Sequence, residues 1–154
     1  CGNYVTQVYG QLYPFNRKAF AKEEWISEIV QMWMVSQKDH EYNPIHIHGN
    51  CHLSAVMYIK IPEYLPSRKT SQRNEDGVIT FSSNSARDFI WGRPTLTIQP
   101  SVGDFFIFAA SQQHQVYPFR TPDGKGERRS VSFNAVFSSK TDQNLNSQLS
   151  RVIE

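Results

Sequence analysis

The segment Pro44-Ile-His-Ile-His-Gly-Asn50, with Leu53-Ser-Ala-Val-Met-Tyr-Ile-Lys-Ile61 just behind it, decides how this chain is read. Residues 53–61 read as a strand, rich in the β-branched, aromatic and apolar side chains that suit a pleated, half-buried surface, and Pro62 stops it. Residues 45–48 are extended and introduce it. Two residues apart on extended backbone means the same face, so His46 and His48 present two imidazoles side by side. A metal ion accepts histidine nitrogens at ~2.0–2.1 Å, and one ion can take both. A third ligand has to come from a distant part of the chain.

Outward from that segment the pattern stays extended, short and frequently interrupted. Residues 29–35 are a strand candidate, followed by a polar turn at 39–44. Residues 62–77 carry two prolines and several charges and read as a long exposed loop. Further strands are expected at 78–81, 95–99, 104–109, 115–117 and 128–137, with an emphatic turn at 121–126. Residues 1–28 are a mixed N-terminal flank with a helical turn expected at 19–25, and 139–154 are a polar tail. No repeat divides the chain, so 1–154 reads as a single domain.

Composition agrees with a β-rich chain. Ile and Val number 11 each, against 6 Leu and 7 Ala, and aromatics are 13% of the 154 residues. Several short strands with turn signals between them suggest a sandwich or a barrel. Sixteen basic and 14 acidic residues give a net charge of +2, which gives no steer towards nucleic acid. The longest apolar run, Phe105-Phe-Ile-Phe-Ala-Ala110, is far short of the ~20 residues of a membrane-spanning helix. Cys1 and Cys51 are no disulfide framework, so a reducing, cytoplasmic setting is expected. Beginning at Cys rather than Met, the sequence reads as a trimmed chain without a signal peptide.

Three other histidines compete for the third ligand position. His114 follows Pro100-x-x-Gly103, an apolar strand and a short loop, and is the distant histidine placed at a strand. His40 lies in a polar turn, and His52 is read as a neighbour of the pair. The plainer reading of all of them is ordinary surface or hydrogen-bonded histidines. The ordered His-x-His, strand and distant His favours metal binding by His46, His48 and His114.

Residues 128–137 add a second constellation. Arg128, Ser130, Ser132 and Asn134 share one face, and Val131, Phe133, Ala135 and Phe137 the other. The plainer reading is a wet polar face. The alternative is a polar face lining a lumen, where the planar fork of Arg128, with the Ser130 hydroxyl, clamps a carboxylate. Remaining features take bland readings. Trp25, Trp33 and Trp91 are packing residues, and Cys51 is a small buried one. Arg120, Lys125 and Arg129, interrupted by Asp123 and Glu127, are a solvated turn.

Taken in order, five stretches resemble the 2-oxoglutarate and Fe(II)-dependent oxygenases, closest to a branch found in bacteria and their phages. They are Pro44-Ile-His-Ile-His-Gly-Asn50, Leu53-Ser-Ala-Val-Met-Tyr58, Pro100-Ser-Val-Gly-Asp104 with Phe105-Phe-Ile-Phe108, His114-Gln-Val-Tyr-Pro118, and Glu127-Arg-Arg-Ser-Val-Ser-Phe-Asn134. Order and spacing agree over residues 33–134. The resemblance implies a double-stranded β-helix, a jelly-roll and cupin relative, with a short flanking N-terminal helix or helices. It implies Fe(II) held by His46, His48 and His114. It further implies 2-oxoglutarate anchored by Arg128 and Ser130, with Tyr58 and Asn50 as further hydrogen-bond partners. The implied activity is a dioxygenase, a hydroxylase acting on a small-molecule cosubstrate and an unassigned primary substrate.

One position departs from the wider family, whose motif is His-x-Asp or His-x-Glu before the distant His. Here His48 stands where the carboxylate would, and Asp39, Glu41 and Asp104 are not at that spacing. Three neutral imidazoles leave the full 2+ charge on the metal. That keeps a second reading open, a cupin-like three-His metalloprotein holding iron or zinc without 2-oxoglutarate. A third is a β-sandwich binding module with incidental histidines.

Overall fold

Strands form where the β-branched and aromatic runs lie. The computed structural model of the chain describes residues 24–67, 74–82 and 95–140. Its strands are β1 (Trp25–Lys38), β2 (Asn43–His46), β3 (Leu53–Lys60), β4 (Ile79–Ser82), β5 (Thr95–Ile98), β6 (Phe105–Ala109), β7 (Gln113–Val116) and β8 (Glu127–Ser139). They make two four-stranded sheets, ordered β1-β8-β3-β6 and β2-β7-β4-β5. Every connection except β4 to β5 crosses from one sheet to the other. That order is the double-stranded β-helix, a jelly roll.

The chain divides into two compact units, Gln31–Asn134 and a smaller one formed by Cys1–Val30 and Ala135–Glu154. The smaller unit's described residues include buried Ala135 and Phe137, and the Lys140 amide donates to the Glu24 carbonyl at 3.0 Å.

Within Gln31–Asn134 the core lies between the inner faces of the two sheets. Val56, Tyr58 and Phe108 come from one, and Ile79 and Val116 from the other; Ile61, Phe81, Ile98 and Phe106 pack against them. Burial of such side chains contributes roughly 1.5–3 kcal/mol each. The antiparallel β3–β6 register places Ser54 opposite Phe108 and Val56 opposite Phe106, which brings these side chains to one face. The opposite face is apolar too: Met57, Ile59, Phe105 and Ile107 are exposed. Gly77, just before β4, has a φ of 69°, in the left-handed region, and a side chain there would strike the Tyr64 ring. Glycine is the residue that meets both demands without strain.

Several boundaries differ from the expected ones. β1 starts at Trp25, so that residue of the expected helical turn is in a strand; residues 19–23 lie outside the described residues, as does most of the tail. β2 is Asn43–His46, where 45–48 was expected: the register shifts between Asn43 and His46, and His48 has left the ladder. Glu127 is not on a solvated turn. It is buried at the start of β8, with Ser36 Oγ at 2.6 Å, Lys60 Nζ at 3.0 Å, Lys38 Nζ at 3.1 Å and Arg129 Nε at 3.0 Å. Cys51 is half-buried.

Candidate metal centre

Backbone pairing assembles the histidines. β2 and β7 are antiparallel neighbours in which His46 pairs directly with His114, so residues 68 positions apart stand side by side. Past the end of β2, the His48 amide donates to the Ala110 carbonyl at 2.9 Å, which fixes the third ring. The ring centroids lie 4.2 Å apart for His46–His114, 5.2 Å for His48–His114 and 5.3 Å for His46–His48. One nitrogen from each lies within 4.8 Å of the others. Among the described residues no cysteine or carboxylate joins that set.

The local chemistry prepares the rings to donate lone pairs. His46 Nδ1 is 2.7 Å from the Pro44 carbonyl oxygen, and His114 Nδ1 is 3.0 Å from that of Gln112. A carbonyl only accepts, so both Nδ1 atoms carry a proton, and Nε2 is the nitrogen each ring can offer to a metal. Burial, then the charge of His46, lowers the pKa of His48. His114, 5% exposed, is pushed down to about 4, first by burial, against its bond to Gln112, and further by His46 and His48. Imidazoles such as those of His46 and His114, whose outer nitrogens are tied to carbonyls, fit a divalent metal ion.

The rings open on a cavity of about 50 Å³ whose lining includes Tyr58, Ser130, Gln37 and Trp33. Ser130 is therefore on the same cavity as the histidines, on the polar face of β8, and that face points inward. Arg128, Ser130 and Asn134 are buried, while Val131 and Phe133 on the other face are only half-buried. Asn134 is satisfied there by Ser54 Oγ at 2.7 Å and Gln31 Oε1 at 3.2 Å. Arg128 is 3% exposed, its guanidinium carbon 5.6 Å from the Tyr58 ring centroid and 5.7 Å from that of Phe119. It donates to the Gly77 carbonyl at 2.7 Å and to Gln37 Oε1. No carboxylate lies within 4 Å of it among the described residues.

A buried guanidinium without an anion is costly, and the surroundings fit a carboxylate ligand. The Tyr64 hydroxyl, against Gly77, is buried with no hydrogen-bond partner among the described residues. Burial holds its pKa above the usual phenol value, against the pull of the nearby Arg128 guanidinium, so it stays a donor. Burial likewise pushes Tyr58 up to about 12, against the pull of Arg128.

Asn50 lies elsewhere: it is exposed, does not line the cavity, and its φ of 57° places it in a tight turn. Asp39 is bonded to Thr121, Asp104 caps the turn at Ser101, and Glu41 binds the Lys38 amide. None is a ligand candidate. Gln37 and Trp33 are site residues the sequence reading missed. They share a parity on β1 with Val35, and a strand read through to Lys38 would have put a glutamine in the inward row. Trp33 lies 5.8 Å, ring to ring, from His48. Trp91 is outside the described residues.

Comparison with known proteins agrees with this geometry. No curated protein matches the chain. A 2OG-Fe(II) oxygenase family protein from Burkholderia pseudomallei superposes with a TM-score of 0.52 at 14% identity, over 84% of this chain and 56% of its own. HygX from Streptomyces hygroscopicus, solved with nickel and 2-oxoglutarate bound, gives 0.50 at 11%, over 84% of this chain and 67% of its own. This chain thus spans little more than half of the first and about two thirds of the second. Both likenesses confirm the fold. The family model "Putative 2OG-Fe(II) oxygenase" matches residues 31–134, the unit that holds all three histidines and Arg128, and the chain belongs to that family.

Proposed function

We propose that this chain is a non-haem Fe(II)- and 2-oxoglutarate-dependent dioxygenase acting as a hydroxylase. The observation that carries the reading is a cluster of three imidazoles on a cavity that shares Tyr58 with a buried Arg128, to which no carboxylate among the described residues is bonded. His46, His48 and His114 hold the metal. Arg128 and Ser130 take the far carboxylate of the cosubstrate, with Tyr58 beside it. When bound, the metal and cosubstrate would activate dioxygen, one oxygen atom going to the substrate and the other into succinate as 2-oxoglutarate is oxidised and loses carbon dioxide. The protein's own residues keep the three lone pairs aimed, exclude bulk water and orient the diacid. HygX binds 2-oxoglutarate and nickel, which supports the assignment on the shared fold.

The three-His set without a carboxylate also favours the cupin-like reading, a metalloprotein with no use for 2-oxoglutarate. Anaerobic titration of the Fe(II)-loaded protein with 2-oxoglutarate separates the two. The proposed function requires the weak visible charge-transfer band of the chelate. It also requires Arg128→Ala to weaken 2-oxoglutarate binding by at least about tenfold, the scale of a charge-assisted hydrogen bond, with metal content intact. A silent titration supports the cupin-like reading.

A further inference from the structure

Arg128 is held by neutral groups where a carboxylate partner would be ordinary. Two of its donors go to the Gly77 carbonyl and to Gln37 Oε1. Gln37 is itself 6% exposed, and its Nε2 donates to the Glu41 carbonyl. That second bond fixes which end of the amide faces the arginine: nitrogen towards Glu41, oxygen towards the guanidinium.

The carboxylates next along the chain are engaged elsewhere. Glu127, adjacent to Arg128, is surrounded by Ser36, Lys38, Lys60 and Arg129. Asp76, adjacent to Gly77, takes both Nε and Nη2 of Arg120, at 3.1 and 2.7 Å. The Tyr58 and Phe119 rings set the guanidinium's surroundings without adding negative charge. Among the described residues the positive charge is therefore aimed but not cancelled.

We propose that Gln37 is a positioning residue that keeps this pocket selective for an anion, by orienting Arg128 with a neutral oxygen. The inference rests on the proposed function, in which the anion is the far carboxylate of 2-oxoglutarate. A carboxylate at position 37 has the same reach and would form a buried pair with Arg128. It would then occupy, electrostatically, the place of the ligand. Removing the oxygen without adding charge would loosen the aim and leave the attraction.

The test is 2-oxoglutarate titration of the Fe(II)-loaded protein under anaerobic conditions, with iron stoichiometry measured in parallel. Gln37→Glu is expected to lose at least about tenfold in 2-oxoglutarate affinity with iron content unchanged. Gln37→Leu is expected to lose less than Gln37→Glu, and Arg128→Ala to lose at least as much as Gln37→Glu. A purely structural role predicts instead that both Gln37 variants lose iron content and thermal stability along with 2-oxoglutarate affinity, since both lose the Nε2 donor to the Glu41 carbonyl. Wild-type affinity in Gln37→Glu, alongside loss in Arg128→Ala, overturns the inference and leaves the proposed function standing. Wild-type affinity in Arg128→Ala overturns both. If Gln37→Glu does not fold, Gln37→Leu decides alone: affinity equal to wild type, or as low as Arg128→Ala, overturns the role given to Gln37.

Discussion

His114 shows how much of a metal site a single position can carry. It is the most buried of the three histidines, pairs across the ladder with His46, and has its Nδ1 proton committed to a carbonyl. Phe108 and Phe81 pack at 4.6 and 6.0 Å, centroid to centroid, so its ring has little freedom to turn away. Loss of an outer partner of a metal-bound histidine costs about 10–100-fold in affinity, and loss of the ligand itself should exceed that. His114→Ala is therefore expected to lower Fe(II) or Mn(II) affinity by more than about 100-fold, measured by calorimetric titration. His52→Ala, at an exposed neighbour outside the cluster, should leave it unchanged. Tight metal binding retained in His114→Ala would assign the third ligand to another residue.

At the level of the strand, β8 joins stability to the site. Its first residue, Glu127, gathers one hydroxyl and three cations, and its second, Arg128, turns inward. Hydrogen bonds from Ser36, Lys60, Arg129 and Lys38, in that order, hold the Glu127 carboxyl far below its usual 4.5. A carboxyl whose folded pKa is depressed binds protons more readily when unfolded, so its stabilisation is full above the unfolded pKa and fades as pH falls below it. Glu127→Gln should thus melt below the wild type at pH 7. The gap should narrow steadily as the pH falls below about 4.5, as thermal melts across that range would show. A gap that is constant with pH would mean that packing, not charge, explains the loss.

The same strand shows what could be read from residues and what could not. Alternation sorted Arg128, Ser130 and Asn134 onto one face without indicating which face is inside. A period of two fixes sidedness, while the interior is set by the partner sheet. In β3 and β6 both faces are apolar, with Met57, Ile59, Phe105 and Ile107 exposed, so hydrophobicity could not choose there either. The His46–His48 pair was legible because its spacing is local. Its meeting with His114 was favoured by the ordered pattern before the family resemblance, while the β2–β7 register that brings the rings together is not readable from spacing. Gln37 was missed because β1 was ended at Val35, two residues before the inward glutamine. Glu127 was missed because two of its three cations, Lys38 and Lys60, come from β1 and β3, far away in sequence.

Across the molecule, metal and cosubstrate should act as part of the fold. The histidines come from β2, β7 and the loop after β2, and Arg128 and Ser130 from β8 in the other sheet. On the proposed function, a ligand set drawn from both sheets would bind the folded chain and have no counterpart in the unfolded one. Binding to the native state alone adds about 2.7 kcal/mol of stability at a ligand concentration 100 times its Kd. For a chain of this size each kcal/mol raises Tm by roughly 2–4 °C, so the shift is roughly 5–10 °C. Mn(II), which does not turn over, is the suitable probe. Wild-type protein should melt higher with Mn(II), and higher again when 2-oxoglutarate is added. His114→Ala should show neither rise, whereas Arg128→Ala should keep the first and lose the second. A 2-oxoglutarate shift that survives in Arg128→Ala would place the diacid away from the guanidinium and separate the two halves of the site.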